Sequence, residues 1–190
     1  LNAKPTADVT VTLTGDDNTE HTLSPESKQL TFKPDNWNTP QTVTVKAVND
    51  SIVDGDTITT LTATASNTGG YSGSETATTT VKTSDNENPG ITIQQTGDTE
   101  GAHLLTKEEG ETSSTFDVVL NAKPTADVTV TLTGDDNTEH TLSPENKQLI
   151  FTAENWNTPQ TVTVTAVDDS IVDGDTITTL TATASSTGGY

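Results

Sequence analysis

Two nearly identical stretches, AVNDSIVDGDT at 47–57 and AVDDSIVDGDT at 166–176, gather acidic residues directly after a run with strand character. The carboxylates of the second stretch are Asp168, Asp169, Asp173 and Asp175. Like charges this close repel one another. A hard cation such as Ca²⁺ removes that repulsion because it takes about six to eight oxygen ligands from carboxylates, carbonyls and waters. Calcium binding is therefore the chemistry that these residues suggest.

The same residue types recur in other loops. These are KEEGE at 107–111, GDDN at 15–18 and 134–137, and DNE at 85–87. Zinc or copper favours Cys or several His, and this sequence has no Cys and three His. An EF-hand does not fit, because the twelfth residue counted from Asp169 is Leu180 rather than Glu. The plain alternative is that these are solvated turn residues, since Asp and Asn favour turns.

The segments that would position these loops have a period of two. In 127–136, Val128, Val130 and Leu132 share one face and Thr residues occupy the other, and 160–169 repeats the pattern. Further predicted strands are 74–83, 115–120, 147–151 and 175–184. A parity slip between Ile177 and Leu180 predicts a bulge or bend. Several short strands with turn signals between them indicate an antiparallel β-sandwich.

The chain is a tandem repeat with a period of 119 residues. Residues 1–71 and 120–190 are the same segment apart from eight positions: Ser27/Asn146, Thr31/Ile150, Lys33/Thr152, Pro34/Ala153, Asp35/Glu154, Lys46/Thr165, Asn49/Asp168 and Asn67/Ser186. Pro and Gly in SDNENPG (84–90) indicate a linker. We therefore predict two domains, 1–88 and 89–190. Such arrays are typical of spacers and repetitive binding surfaces rather than of single-site enzymes.

Both ends of the sequence fall inside a repeat. The first domain has no counterpart of 90–119, and the second has no counterpart of 72–89. Each sandwich is predicted to leave one strand edge open unless a neighbour covers it. Because both ends fall inside a repeat, we expect the native chain to continue in both directions, and Leu1 in place of Met also indicates a piece of a longer or processed chain. Head-to-tail complementation between molecules is the alternative.

Charge excludes several classes of function. The chain has 28 acidic and 8 basic residues, for a net charge of −20. Such a chain repels phosphate backbones and anionic lipid surfaces, so we expect neither nucleic-acid binding nor membrane insertion. Strong acidity, abundant Thr, Asn, Asp and Gly, and the absence of Cys favour an extracellular, cell-surface bacterial protein. No Gly-x-Ser-x-Gly elbow occurs, and we expect no enzymatic activity.

Four motifs taken together carry a family resemblance. They are EEGETSSTFDVVL (108–120), VTVTLTGDDNT (128–138), LIFTAENWNTPQTVTVTAVDDSIVDGD (149–175) and TTTVKTSDNENPG (78–90). The sequence resembles the Calx-beta domain, in the form found in large bacterial surface proteins and adhesins, over essentially its whole length. The resemblance implies an all-β fold of tandem immunoglobulin-like antiparallel β-sandwiches. It also implies Ca²⁺ as a cofactor, bound at one end of the sandwich in some members.

The resemblance also assigns candidate ligands. In the second unit they are Glu108 or Glu109 before the first strand, Asp136, the pair Asp168 and Asp169, the backbone carbonyl of Ile171, and Asp173. In the first unit they are the copies Asp17, Asn49, Asp50, Ile52 and Asp54. The acidic triplet that closes the first unit supplies Asp85 and Glu87, with Asn86 between them. Asn49 in place of Asp168 predicts that the two loops differ in affinity, and Thr176 stands where calcium-binding members can have Glu.

Three functions follow as hypotheses. The first is a structural segment of a long extracellular stalk, adhesin or fibre, in which Ca²⁺ stiffens the units and neighbouring repeats are the partners. The second is an adhesive module that binds a glycan or a host protein near Trp156, although Trp37 and Trp156 also fit a loop plug over the end of the sandwich. The third is a fibre subunit that self-associates head to tail by exchanging strands.

Overall fold

The structure, a computed structural model, describes residues 1–110, 112–172 and 174–190. The chain is all-β and forms antiparallel sheets, which confirms the predicted fold class. It divides into two compact units. Unit 1 contains Leu1–Asp50 and Gly55–Asp85, and unit 2 contains Ser51–Asp54 and Asn86–Tyr190. The boundaries 1–88 and 89–190 remain predictions. Among the described residues, no helix is long and apolar enough to cross a membrane.

Unit 1 contains six strands. They are β1 (Val9–Thr14), β2 (His21–Ser24), β3 (Gln29–Phe32), β4 (Thr44–Ala47), β5 (Thr57–Ala65) and β6 (Thr76–Thr83). One sheet has the order β3-β1-β5-β6, and a second sheet pairs β2 with β4. Leu13 and Leu61 from the first sheet meet Leu23 from the second in a small buried cluster, against which Val43 packs.

In the described part of unit 2 there are nine strands. They are β7 (Ile91–Gln95), β8 (Thr99–Glu100), β9 (His103–Leu104), β10 (Ser113–Leu120), β11 (Val128–Thr133), β12 (His140–Ser143), β13 (Gln148–Phe151), β14 (Gln160–Ala166) and β15 (Thr181–Ala184). The sheets have the orders β12-β14-β10-β7 and β13-β11-β15, with β8–β9 as a separate ribbon. Buried side chains of both larger sheets form one core, which includes Phe116, Val130, Phe151 and Val162. The two sheets therefore pack face to face as a sandwich.

Most strands lie where the period of two predicts them, and the bulge or bend predicted within 175–184 has no counterpart in unit 1. In unit 1 the equivalent segment is β5, which pairs with β6 without interruption from Thr57 opposite Thr83 to Thr64 opposite Thr76. Ile58, the copy of Ile177, is on the solvent face and is 72% exposed. In unit 2 the strand begins only at Thr181, beyond the parity slip. In β5 the alternation of apolar and polar residues is irregular because Ile58 faces solvent, and no extra residue interrupts the pairing.

In each copy of the repeated segment, the last residue is a tyrosine that hydrogen-bonds to the backbone of the third residue. The Tyr190 hydroxyl donates to the Ala122 carbonyl at 2.7 Å and accepts from the Ala122 N–H at 3.0 Å. Tyr71 makes the same pair of hydrogen bonds with Ala3, at 2.9 and 3.1 Å. Each tyrosine thus satisfies a backbone donor and a backbone acceptor 68 residues away in the sequence.

Candidate functional site

In the GDDN loop that follows β11, the first aspartate forms a structural ion pair. Gly134 has φ +93°, and a Cβ there would lie 2.1 Å from the Thr179 carbonyl oxygen, so the loop requires glycine. The carboxylate of Asp135 is nearly buried and forms an ion pair with Lys147. Lys147 itself has a positive φ of 55°, and its carbonyl accepts from the Leu132 N–H at 2.8 Å. The Lys147 side chain therefore extends from the turn between β12 and β13 to the GDDN loop.

The second aspartate of the loop, the predicted ligand, closes a turn. Asp136 Oδ1 accepts from the hydroxyl of Thr138 at 2.6 Å and from the Thr138 N–H at 3.0 Å. The copy, Asp17, accepts from the N–H groups of Thr19 and Glu20 at 3.1 and 3.0 Å. Hydrogen bonding to Thr138 lowers the pKa of Asp136, and the backbone hydrogen bond from Glu20 lowers that of Asp17. Both carboxylates stay ionised at neutral pH and remain exposed.

Unit 2 contains a cavity of about 1090 Å³ that collects several carboxylates. Glu108, Glu139 and Asp175 line it together with His140 and Ile171. Thr176, also in the lining, donates its hydroxyl to Glu139 Oε2 at 3.3 Å. The structure thus brings two predicted ligands, Glu108 and Ile171, to one cavity.

The segment before β10 is closed by its own hydrogen bonds. The Thr112 N–H donates to the Lys107 carbonyl at 3.0 Å, and the Lys107 N–H donates to the Thr112 hydroxyl at 2.7 Å. Glu108 and Glu109 lie in the turn between these residues, Glu108 half-buried and Glu109 exposed. Glu108, rather than Glu109, lines the cavity.

The loop after β14 extends into solvent. Asp168 and Asp169 are both exposed, and Asp169 Oδ1 accepts from the Ile171 N–H at 2.6 Å. Ile171 is 66% exposed. Asp173, the last predicted ligand of this loop, lies outside the described residues. Asp136, Asp168 and Asp169 do not line the cavity that contains Glu108.

In unit 1 the closing aspartate joins a small charged network. Asp85 Oδ2 accepts from the Gly55 N–H at 2.7 Å, and the Asp85 N–H donates to Asp56 Oδ1 at 3.0 Å. Lys82 forms an ion pair with Asp56 at 2.6 Å and, with the Asp85 N–H, lowers the pKa of Asp56. The network connects the end of β6 to the residues before β5, and Asp85 is the candidate ligand within it.

The remaining candidates lie in loops. In unit 1, Asn49 and Asp50 are exposed after β4, and Asn49 Nδ2 donates to the Asp50 carbonyl at 3.4 Å. In unit 2, Ile52 is half-buried and forms an isolated parallel bridge with Lys123, while Asp54 is exposed. Also in unit 2, Asn86 Nδ2 donates to Glu87 Oε1 at 3.1 Å.

The candidate residues carry the kinds of oxygen atom that bind calcium, but their side chains are not grouped as a calcium site. Carboxylates and backbone carbonyls are the oxygen ligands that Ca²⁺ prefers. Among the residues that the structure describes, however, no three His, Cys, Asp or Glu side chains are grouped closely enough to hold a metal ion. Several candidate carboxylates instead accept local N–H or hydroxyl groups. The ligand set remains a prediction.

Two features of the loops escaped prediction from the sequence. Asp135 and Asp16 pair with Lys147 and Lys28, and Glu139 reaches the cavity next to Glu108. A signal for the ion pairs was available, since the Lys and the first Asp occur in both copies at the same offset. The position of Glu139 depends on how β12 packs and had no such signal.

Trp156 behaves as a structural residue. It is half-buried and packs against the core of unit 2. Its backbone carbonyl accepts from the Leu120 N–H at 3.1 Å, and its N–H donates to the Thr152 carbonyl at 3.0 Å. These contacts favour the loop-plug interpretation. The glycan-binding alternative remains a prediction.

The comparisons with known proteins place the chain in a family. The family model described as the Calx-beta domain matches residues 5–87 and again residues 100–188. The comparison with curated proteins finds no match. The two matched segments cover most of the sequence and correspond to the two copies of the repeat, as the motifs predicted. The chain therefore belongs to the Calx-beta domain family.

Proposed function

We propose that this chain is a non-enzymatic structural segment of a long extracellular stalk, adhesin or fibre, in which acidic loops bind Ca²⁺ and stiffen the units. The Calx-beta family supports the coarser part of this proposal, because its members are structural, non-catalytic modules of a calcium-binding, typically extracellular type. The observation that supports the calcium part is the cavity of unit 2, which Glu108, Glu139, Asp175 and Ile171 all line.

The ion in unit 2 would be held by Glu108 and the Ile171 carbonyl, which both line the cavity, and by Asp168 and Asp169, which lie outside its lining and would have to approach the ion when it binds. Bound Ca²⁺ would supply two positive charges to a chain whose net charge is −20, and would offset the repulsion between neighbouring carboxylates. Asp168 and Asp169 are exposed and therefore accessible to an ion from solvent. The ion would tie the turn before β10 to the loop after β14.

Calcium titration of the full chain tests the proposal. We expect the melting temperature to rise with free Ca²⁺ by ordinary linkage, equivalent to about 2.7 kcal/mol at a hundredfold excess over Kd. Small-angle scattering on the same samples measures the extension of the chain. Potassium chloride at matched ionic strength is the control for charge screening.

Paired variants separate specific binding from general charge effects. The double variant Glu108→Gln, Asp169→Asn should lose the calcium-dependent increase in melting temperature. Asp127→Asn, which removes an exposed carboxylate outside these loops, should keep it. If a chelator changes neither the melting temperature nor the extension of the wild-type chain, the calcium part of the proposal is wrong.

A further inference from the structure

Four residues from the first copy of the repeat belong to unit 2. They are Ser51–Asp54, with the sequence SIVD, and they lie between β4 and β5 in the chain. The Lys123 N–H donates to the Ser51 carbonyl at 2.7 Å, and the Val53 N–H donates to the Lys123 carbonyl at 3.1 Å. These two hydrogen bonds form the parallel bridge between Ile52 and Lys123. Unit 2 therefore binds the segment through its backbone.

The segment also buries an apolar side chain. Val53 is 9% exposed, whereas its copy Val172, from an identical SIVD tetrapeptide, is 101% exposed. Val53 packs against Gly189, where an added Cβ would lie 2.6 Å from the Val53 carbonyl oxygen and 2.9 Å from the Val53 Cβ. Because the same tetrapeptide occurs in both places, the burial of Val53 comes from the surface that it contacts rather than from its own sequence.

Two turns of the second copy build the surface that receives the segment. Tyr190 hydrogen-bonds to the Ala122 backbone, and the Thr125 N–H donates to the Gly188 carbonyl at 3.0 Å. The same interactions recur at the equivalent positions of the first copy. The surface is thus formed by interactions within one copy and does not depend on the segment that binds to it.

We propose that this surface is a docking site for the SIVD segment of the preceding repeat, and that docking joins consecutive repeats in an array. None of the eight differences between the two copies falls in the segment or in the two turns. The duplicated chain therefore keeps both the segment and its site with the period of 119 residues: SIVD at 51–54 and 170–173, AKPT at 3–6 and 122–125, and TGGY at 68–71 and 187–190.

The inference rests on the part of the proposed function that describes a structural array, and not on its calcium part. Ile52 and Asp54 within the segment are candidate calcium ligands. Docking, however, uses the Ser51 carbonyl together with the N–H and the side chain of Val53. Experiments in the presence of a chelator therefore test docking alone, and failure of docking would leave the result of the calcium titration unaffected.

Amide hydrogen exchange on the full chain in chelator tests the contact. In the wild type we expect slow exchange at the N–H groups of Val53 and Lys123. Val53→Asp should accelerate exchange at Lys123 about tenfold to a hundredfold, because the burial of a Val side chain no longer holds the segment in place. Val172→Asp makes the same change in the exposed copy and should leave the exchange at both positions as it is in the wild type.

A pair of glycine variants separates docking from backbone strain. Gly189 has φ +92° and Gly70 has φ +95°, so alanine strains the backbone to the same degree at both positions. At Gly70, however, an added Cβ would meet no atom of the described residues within 4 Å. Gly189→Ala should therefore accelerate exchange at Val53 about tenfold, since the new Cβ overlaps the docked segment. Gly70→Ala should leave that exchange unchanged.

A cysteine pair gives an independent measurement, because the chain has no Cys of its own. Bridged strands lie about 4.7–4.9 Å apart, which is within the Cα separation of about 4.4–6.8 Å that a disulfide spans. Ile52→Cys combined with Lys123→Cys should therefore form a disulfide within one molecule, detected by mass and on a non-reducing gel. Fast exchange at Val53 and Lys123 in the wild type would overturn the proposal, as would equal exchange in Val53→Asp and Val172→Asp. A disulfide formed only between two molecules would also overturn it, because a second copy would then supply the segment.

Discussion

The two copies of the repeat, 1–71 and 120–190, align over 71 residues with eight differences, yet equivalent residues are buried to different extents. Val164 and Ala166 are buried in unit 2, while Val45 and Ala47 are exposed in unit 1. The reverse holds at the other edge: Leu61 is buried in unit 1, while Leu180 is only half-buried in unit 2. Each difference lies beside a strand that, among the described residues, only one unit has: β10 in unit 2 and β6 in unit 1.

Strand length follows the same rule. β14 has seven residues and β4 has four, although their sequences differ at one position. β5 has nine residues, and its copy β15 has four. The longer member of each pair has neighbours on both sides. Strand formation here depends on pairing and burial more than on intrinsic preference.

Local features, by contrast, are the same in both units. The ion pair of the GDDN loop, the tyrosine hydrogen bonds and the aspartate-closed turns all recur. All their partners lie within the segment that both units contain. The comparison therefore separates interactions that need a neighbouring strand from those that do not.

The largest expected effect tests the difference between β14 and β4. Val164→Asp introduces a charge into the core of unit 2 and should destabilise that unit by about 4 kcal/mol or more. Val45→Asp alters a side chain that is more than a third exposed, and should cost less than about 1 kcal/mol. Urea unfolding followed by tryptophan fluorescence measures both, since Trp37 reports on unit 1 and Trp156 on unit 2 in single-tryptophan backgrounds. Equal losses would mean that the two strands have similar surroundings.

An intermediate effect tests a feature that the units share. Lys147→Met leaves the nearly buried Asp135 without its cation and should cost unit 2 about 2–3 kcal/mol. Lys28→Met should cost unit 1 a similar amount, because the Lys28–Asp16 pair, at 2.5 Å, is buried to the same degree. The same fluorescence-detected unfolding applies. If only one unit lost stability, the ion pair of the GDDN loop would depend on the strands β6 or β10, which the two units do not share.

The smallest expected effect concerns pH. Hydrogen bonds lower the pKa of Asp136 in the folded chain below its ordinary value of 3.8. The ionised carboxylate therefore stabilises unit 2 above that ordinary value, and this contribution is lost as the pH falls through the lowered pKa. Asp136→Asn should reduce stability slightly at pH 7, and the difference from the wild type should shrink below about pH 4. Asp17→Asn should have the same effect on unit 1. A difference in stability between variant and wild type that did not change with pH would exclude a contribution from the lowered pKa.

Much of the fold was predictable, because alternation of apolar and polar residues reports directly on which face of a strand is buried. The run from Val128 to Leu132 and the run from Val162 to Ala166 became strands with inward apolar residues, as predicted. Ile177, like its copy Ile58, is exposed, and an apolar residue that faces solvent looks in the sequence like a break in the alternation. The family also followed from the motifs.

The candidate site was less predictable, because acidic residues serve several purposes. Within one loop, Asp135 pairs with a lysine and Asp136 closes a turn, and composition does not separate these roles. The approach of Glu108, Glu139 and Ile171 to one cavity depends on three separate segments of the chain. Positions of loop side chains follow from the packing of the strands that carry the loops, which the sequence pattern does not specify.

The strand pattern, the tandem repeat, the acidic loops and the family can all be read from the amino-acid sequence. These properties are local or arise from direct comparison of one segment with its copy. Tertiary structure alone decided whether Val45 or Val164 would be buried and where β4 and β14 would end. The physical reason is that a strand is stabilised by its neighbours, through backbone pairing and covered apolar surface, and an identical sequence next to a different neighbour is a different strand.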